Sequence, residues 1–233
     1  MIQQQTGSTP FEIQAEWELY KTGLSDEASP LFVYLHGYGE NIAGFKEKAG
    51  ELCQLEGYHL FIQGPYPLPR PGMKNRGYAW YIYDGPESDF AAELARSTRL
   101  VESVVENVKE TCRISEVIVI GFSMGAYLGG YWALFGEHSP EYLAACGGRI
   151  KTELLEAQSS SEKKPYRIAA FHGRDDGSVN GGLQEACIGD LQHHGYPAEM
   201  IWVNGGHDFS PEMSDAVKTW VINRRGEQSD VVG

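Results

Sequence analysis

Four consecutive β-branched residues, Val117-Ile118-Val119-Ile120, run into Gly121-Phe122-Ser123-Met124-Gly125 and on into the mostly apolar series Ala126, Tyr127, Leu128, Tyr131, Trp132, Leu134 and Phe135. This stretch restricts the fold more than any other. An unbroken β-branched run suits a strand buried on both faces of a parallel sheet, and the apolar series that follows suits a helix covered by that sheet. Between them the chain must turn sharply. Gly121 and Gly125 supply small size where a Cβ would collide with the neighbouring strand and helix backbones. Such a turn lifts the Ser123 hydroxyl above the carboxyl edge of the sheet and aims a helix N-terminus at whatever approaches it. The turn alone does not establish catalysis.

The rest of the chain alternates strand and helix in the same way. Phe11, Ile13, Ala15, Trp17 and Leu19 alternate with Glu12, Gln14, Glu16 and Glu18, the period of an edge strand with one wet face. Short apolar strands are predicted at residues 31–35 and 60–62, with a helix carrying Phe45, Ala49, Leu52 and Leu55 between them. Residues 64–86, rich in Pro, Gly and Tyr, read as a long excursion. A helix over residues 87–111 leads into the 117–120 strand. Further strands are predicted at 142–146, 167–171 and 200–203, a surface connection at 156–165, a helix near 183–191, and a last helix opening at Ser210-Pro211-Glu212. Alternation throughout predicts an α/β fold with a mostly parallel central sheet, helices on both faces and no large separate lid. A single domain over residues 11–225 is expected, with flexible ends at 1–10 and 226–233.

At 233 residues the chain can bury one sizeable core. Its net charge of −13 disfavours nucleic acid or anionic membranes as the main partner, since both attractions need a surplus of Lys and Arg. Cys53, Cys112, Cys146 and Cys187 are scattered, without the paired spacing of zinc or redox sites. Residues 1–10 lack the basic flank and apolar run of a secretory signal, and no apolar run reaches membrane-spanning length. A cytoplasmic protein, monomeric or homodimeric, is the expectation.

In a sheet of this kind the loops at the carboxyl ends of the strands meet in one crevice. The strand ending at Phe171 runs into His172-Gly173-Arg174-Asp175-Asp176-Gly177 and so delivers a carboxylate; the strand ending at Val203 runs into Asn204-Gly205-Gly206-His207-Asp208 and delivers an imidazole. The order Ser, Asp, His is that of the α/β-hydrolases. His207 would take the Ser123 proton during attack and return it to the leaving group, while an aspartate fixes the imidazole tautomer. Two backbone donors would receive the oxyanion: the N–H of Met124, and the N–H of Tyr38 in Leu35-His36-Gly37-Tyr38-Gly39. Both Asp175 and Asp176 lie in the right loop, and spacing alone does not choose between them.

These motifs, His-Gly-x-Gly, Gly-x-Ser-x-Gly, His-Gly-x-x-Asp and Gly-Gly-His-Asp-Phe in that order, resemble the phospholipase/carboxylesterase branch of the α/β-hydrolases, which includes bacterial carboxylesterases and acyl-protein thioesterases. The resemblance covers roughly residues 31–221. It implies that Asp176, four places beyond His172, is the acid, and that Trp80 and Tyr81, in Gly77-Tyr78-Ala79-Trp80-Tyr81-Ile82-Tyr83-Asp84, line the acyl site. Two departures stand out. The thioesterase members commonly carry Gln where this chain has Met124, and the usual Val-Pro after the acid is here Val179-Asn180.

The remaining histidines have plainer readings. His36 and His172 suit turns at strand ends, bonded to nearby backbone, and His193-His194 suits a solvated helix end. Asp175-Asp176-Gly177 lacks the alternating oxygen ligands of a calcium loop. The expected activity is hydrolysis of short-to-medium acyl esters through an acyl-enzyme, with no metal and no organic cofactor, on a small-molecule ester or thioester. Thioester hydrolysis or lysophospholipase-type activity would use the same residues. A serine peptidase or amidase would need peptide-docking groups that the sequence does not display. A non-catalytic small-ligand binder would have no need of the complete Ser, Asp and His set.

Overall fold

The computed structural model describes residues 6–7, 9, 12–23, 27–69, 76–83, 87–157 and 167–229. Period-two alternation decides which side of the sheet each residue faces. In β2 (Ser29–Leu35), Leu31, Val33 and Leu35 enter one apolar layer while Phe32 and Tyr34 enter the other. The same split divides Val117 and Val119 from Ile118 and Ile120 in β6 (Ile114–Phe122). All of these side chains are buried. The first layer is closed by α2 (Glu87–Thr111), α3 (Met124–Phe135) and α4 (Gly181–His193), the second by α1 (Ile42–Lys48) and α5 (Pro211–Ser229).

Among the described residues, β1 (Trp17–Thr22), β3 (Gly57–Ile62), β7 (Tyr142–Cys146), β8 (Arg167–Gly173) and β9 (Ala198–Val203) complete a seven-stranded sheet of order β1-β3-β2-β6-β7-β8-β9. Within this sheet only the β1–β3 pair is antiparallel. From β2 the chain steps outward to β3, then returns to the other side of β2 with β6. That reversal opens a crevice between the carboxyl ends of β2 and β6.

Several local expectations need correction. The edge strand starts at Trp17 rather than near residue 11, because its pairing consumes the whole of β3, from Trp17 opposite Ile62 to Thr22 opposite Gly57. Phe11 lies outside the described residues. The helix expected to span Phe45 through Leu55 ends at Lys48, and one 3-10 turn, Leu52–Gln54, covers the remainder. The 64–86 excursion contains a two-stranded ribbon, β4 (Tyr66–Leu68) with β5 (Gly77–Ala79), and Trp80 behind it is fully buried. The connection after β7 holds a 3-10 helix, Thr152–Ala157; residues 158–166 lie outside the described set. Helix α5 continues to Ser229, so it includes the first four residues of the expected tail, and 230–233 are not described.

The decisive packing lies at the top of β6. A Cβ on Gly125 would sit 2.0 Å from the Leu35 carbonyl oxygen, and one on Gly121 would sit 2.4 Å from the Gly125 carbonyl oxygen. Both obstacles are backbone, so neither can swing aside. The start of α3 therefore rests directly on the end of β2. Gly125→Ala is expected to lower the thermal midpoint by about 4 °C or more, the scale of overpacking a rigid interior. Gly189→Ala in α4, where an added Cβ meets nothing within 4 Å, should raise it by about 2 °C through helix propensity. Thermal melts of the two variants check both signs.

Candidate active site

Ser123 occupies φ 51°, ψ −114°, the only non-glycine at positive φ among the described residues. Such a conformation costs on the order of 1–3 kcal/mol and persists only where the surroundings over-determine it. Here they do. The Ser123 N–H donates to the Cys146 carbonyl at the end of β7 (2.8 Å), and the Ser123 carbonyl accepts from Ala126 N–H (2.9 Å). Gly148 packs its α-carbon so closely that a Cβ there would lie 2.7 Å from the Ser123 carbonyl oxygen.

The strand ends bring the predicted partners to this hydroxyl. His207 Nε2 lies 3.0 Å from Ser123 Oγ, and His207 Nδ1 lies 2.7 Å from Asp176 Oδ2. A carboxylate oxygen only accepts, so Nδ1 carries the hydrogen and Nε2 offers its lone pair to the Ser123 hydroxyl. Asp176 is the carboxylate that faces the imidazole, with its side chain 1% exposed. Asp175 is exposed, its N–H spent on the Gly205 carbonyl. Burial alone would raise the Asp176 carboxyl; the N–H of Val179, the His207 ring and the N–H of Ser178 outweigh it and hold the group below the ordinary aspartate value. Asp176 Oδ1 takes both backbone bonds, from Ser178 (2.8 Å) and Val179 (2.9 Å). That leaves Oδ2 to face His207, with His172 Nε2 3.3 Å away on its other side.

The loop after β2 is oriented by its own hydrogen bonds. The Gly64 N–H donates to His36 Nε2 (3.0 Å), so His36 is the Nδ1–H tautomer and donates to the Gly37 carbonyl (2.8 Å). Glu40 N–H donates to the same carbonyl (3.2 Å). Across a trans peptide the N–H points opposite to the C=O, so the Tyr38 N–H is turned away from His36. Met124 is the first residue of α3, and its N–H has no acceptor within the helix. His36 and His172 are buried and bonded to backbone, His172 through Nε2 to the Val179 carbonyl (3.0 Å).

Trp80 and Tyr81, which the resemblance implies line the acyl site, have almost no exposed surface. Trp80 is 0% exposed; its Nε1–H donates to the His36 carbonyl (2.8 Å), and its own carbonyl accepts from the Ser97 hydroxyl (2.5 Å). Tyr81 is 6% exposed and packs edge-on against Phe90. The exposed apolar side chains here are instead Tyr38 at 65%, Ile82 at 62% and Tyr83 at 44%. Sequence reasoning also missed Glu40, whose Oε2 accepts the Gly37 N–H at 2.7 Å. Its spacing, three residues beyond the first glycine of the loop, is the available clue.

A cavity of about 570 Å³ between β9 and α5, lined by Glu199, Trp220 and Arg224 among others, touches none of these residues. Trp220 and Arg224 both donate to Glu199 there, as befits a structural seam. Among the described residues no group of three or more His, Cys, Asp or Glu is placed to hold a metal ion, and no helix is long and apolar enough to cross a membrane.

Comparison with known proteins settles the family. Residues 23–222 match the phospholipase/carboxylesterase family profile. The chain belongs to that family. Solved structures with the same fold include esterase PE8, at 19% identity and TM-score 0.76 over 91% of this chain and 99% of that one. Acyl-protein thioesterase 2 of Zea mays aligns at 21% identity and TM-score 0.66, covering 89% and 98%. The Bacillus cereus carboxylesterase aligns at 18% and 0.66, covering 88% and 92%. No curated protein matches the chain in sequence. The family and the sheet order together give an α/β-hydrolase fold, and an esterase or thioesterase type of hydrolase is the class it carries.

Two buried imidazoles give this family member a pH signature. Burial lowers the pKa of His36 and of His59, against the smaller opposing effect of their bonds to the Gly37 and Leu55 carbonyls. A depressed pKa means that the folded state binds the proton less well than the unfolded chain. The stability these groups contribute is therefore complete above the ordinary histidine value and is lost as pH falls through the lowered one. Urea midpoints measured from about pH 8 to about pH 5 should fall below about pH 6.5. The fall should be shallower in His36→Gln, and parallel curves would refute the assignment.

Proposed function

We propose that the protein is a serine hydrolase that cleaves carboxylic esters of short-to-medium acyl chains through an acyl-enzyme intermediate. The observation that carries this reading is the unbroken line from Ser123 Oγ through the His207 ring to Asp176 Oδ2, at 3.0 and 2.7 Å. A serine hydroxyl is a weak nucleophile until its proton is taken during attack. His207 Nε2 accepts that proton, and Asp176 stabilises the transient imidazolium while holding the tautomer. The tetrahedral oxyanion is received by the N–H groups of Tyr38 and Met124, both preset before substrate arrives. The proton then passes from His207 to the leaving alcohol, and water repeats the sequence to release the acid.

Every step uses side chains and backbone of this chain, so the reaction calls for neither metal nor organic cofactor. The substrate is a small-molecule ester or thioester, since a thiolate leaves more readily than an alkoxide by the same route. The exposed Tyr38, Ile82 and Tyr83 suit an open cleft and modest acyl groups rather than long triglycerides. The cysteines are free, which suits a cytoplasmic setting.

On p-nitrophenyl butyrate, Ser123→Ala or His207→Ala should lower kcat by about 10⁶-fold, the scale seen when either member of such a set is removed. Asp176→Asn should cost about 10⁴-fold, whereas Asp175→Asn should stay within about threefold, the range of an exposed substitution that touches no reacting group. A fluorophosphonate should add once, at Ser123, by mass spectrometry of the intact protein and its peptides. An unlabelled Ser123 in the folded protein sinks the reading.

A further inference from the structure

Lys48 closes α1, and its ammonium sits between acidic side chains from two different loops of the candidate site. It lies 2.6 Å from Asp208 Oδ1 and 3.0 Å from Glu40 Oε1. Asp208 directly follows His207. Glu40 uses its second oxygen, Oε2, to accept the Gly37 N–H at 2.7 Å, one residue before Tyr38. A single cation thus links the loop that carries the base to the loop that carries an oxyanion donor.

The same ammonium stands 5.7 Å from the centre of the Phe122 ring, and Phe122 immediately precedes Ser123. That ring lies 5.2 Å from the His207 ring and would be 3.0 Å from a Cβ on Gly37. Phe122 is therefore a spacer touched by both loops, and Lys48 fastens them together across it. Its charge is secure: burial works to lower the Lys48 pKa, but the bonds to Asp208 and Glu40 outweigh it and raise the value.

We propose that Lys48 is a positioning residue that holds the Tyr38 and His207 loops at the separation the tetrahedral intermediate requires. The proposal rests on the serine-hydrolase reading above. The intermediate must touch His207 on one side and the Tyr38 and Met124 N–H groups on the other. Small errors in that span reduce turnover far more than they reduce substrate binding. Without the ammonium, the Glu40 and Asp208 carboxylates lose the cation they share, and the repulsion between their like charges pushes the loops apart. An ordinary exposed ion pair has no such consequence. Lys46, in the same last turn of α1, supplies the contrast: it pairs with Glu18 at 2.9 Å and lies 4.6 Å from the Tyr20 ring, away from the trio.

Steady-state hydrolysis of p-nitrophenyl butyrate tests the proposal. Lys48→Met should lower kcat by about fivefold or more with KM within about twofold, because alignment and not affinity is lost. Lys48→Arg, which can still bridge two carboxylates, should recover most of the loss, and Lys46→Met should match the wild type. Asp208→Asn should lower kcat in the same direction, and adding it to Lys48→Met should cost little more, the non-additivity expected of one shared contact. The rate of fluorophosphonate labelling should fall in proportion to kcat, since that reaction uses the same base and oxyanion donors. Thermal midpoints should move by less than about 2 °C, the scale of an exposed ion pair.

Wild-type kcat in folded Lys48→Met overturns the proposal, as does a loss in Lys48→Met that appears in KM alone. If Lys48→Met does not fold, Asp208→Asn decides: a lowered kcat with KM within about twofold supports the proposal, and wild-type kcat overturns it. Absence of wild-type hydrolysis and of Ser123 labelling is a different failure, that of the serine-hydrolase reading itself.

Discussion

The start of α3 rests on the end of β2 with no room for a single added carbon, and the candidate site is built around that contact. Gly125 meets the Leu35 carbonyl and Gly121 meets the Gly125 carbonyl, both backbone to backbone. The short turn between the two glycines has little freedom left. Ser123 is accordingly driven to φ 51°, where its N–H is taken by Cys146 and its carbonyl by Ala126. The strain is small beside the packing that enforces it, because β2, β7 and the end of β6 are buried throughout. Moving the hydroxyl would require moving β2, β6 or β7.

The same contact sets the electrostatics. It brings the first turn of α3 next to the loop leaving β2, so that Tyr38 and Met124, 86 positions apart in sequence, lie in neighbouring segments, and the proposed reaction assigns their N–H groups to the oxyanion. Around them, polar groups are saturated on the side away from the crevice. His36 takes the Gly64 N–H and gives to the Gly37 carbonyl; Trp80 gives to the His36 carbonyl; Glu40 takes the Gly37 N–H. Each bond that anchors the loop from behind removes an alternative direction for the Tyr38 N–H. In the proposed reaction, preorganisation would be a property of neighbours that do not themselves touch the substrate.

Much of this architecture is legible along the chain. The apolar runs at 31–35 and 117–120 and the spaced apolar residues of α2 display their periods directly, and the order of Ser123, the 175–176 pair and His207 follows from which strand each residue terminates. Elsewhere local pattern misleads. Alternation from Phe11 onward reads as one strand, but a strand extends only as far as its partner, and β3 ends opposite Trp17. The aromatic residues near Trp80 read as a substrate wall, but hydrogen bonds to His36 and Ser97 draw Trp80 into the core, and the exposed apolar surface passes to Ile82 and Tyr83. Aromatic density carries no sign of which face a ring will take.

By itself the sequence determined the strand-turn-helix around Ser123, the parallel alternation and the order of Ser123, the 175–176 pair and His207 along the chain. These depend on short-range spacing and on the periods of helix and strand, which a linear chain displays directly. Only the tertiary structure decided between Asp175 and Asp176, because the choice rests on which of two adjacent side chains the turn points inward; the Ser178 and Val179 N–H groups hold Asp176 in that position. It alone also brought Lys48 to Asp208, 160 positions away. Contacts at that separation are made by the folding of the sheet, and no local pattern records them.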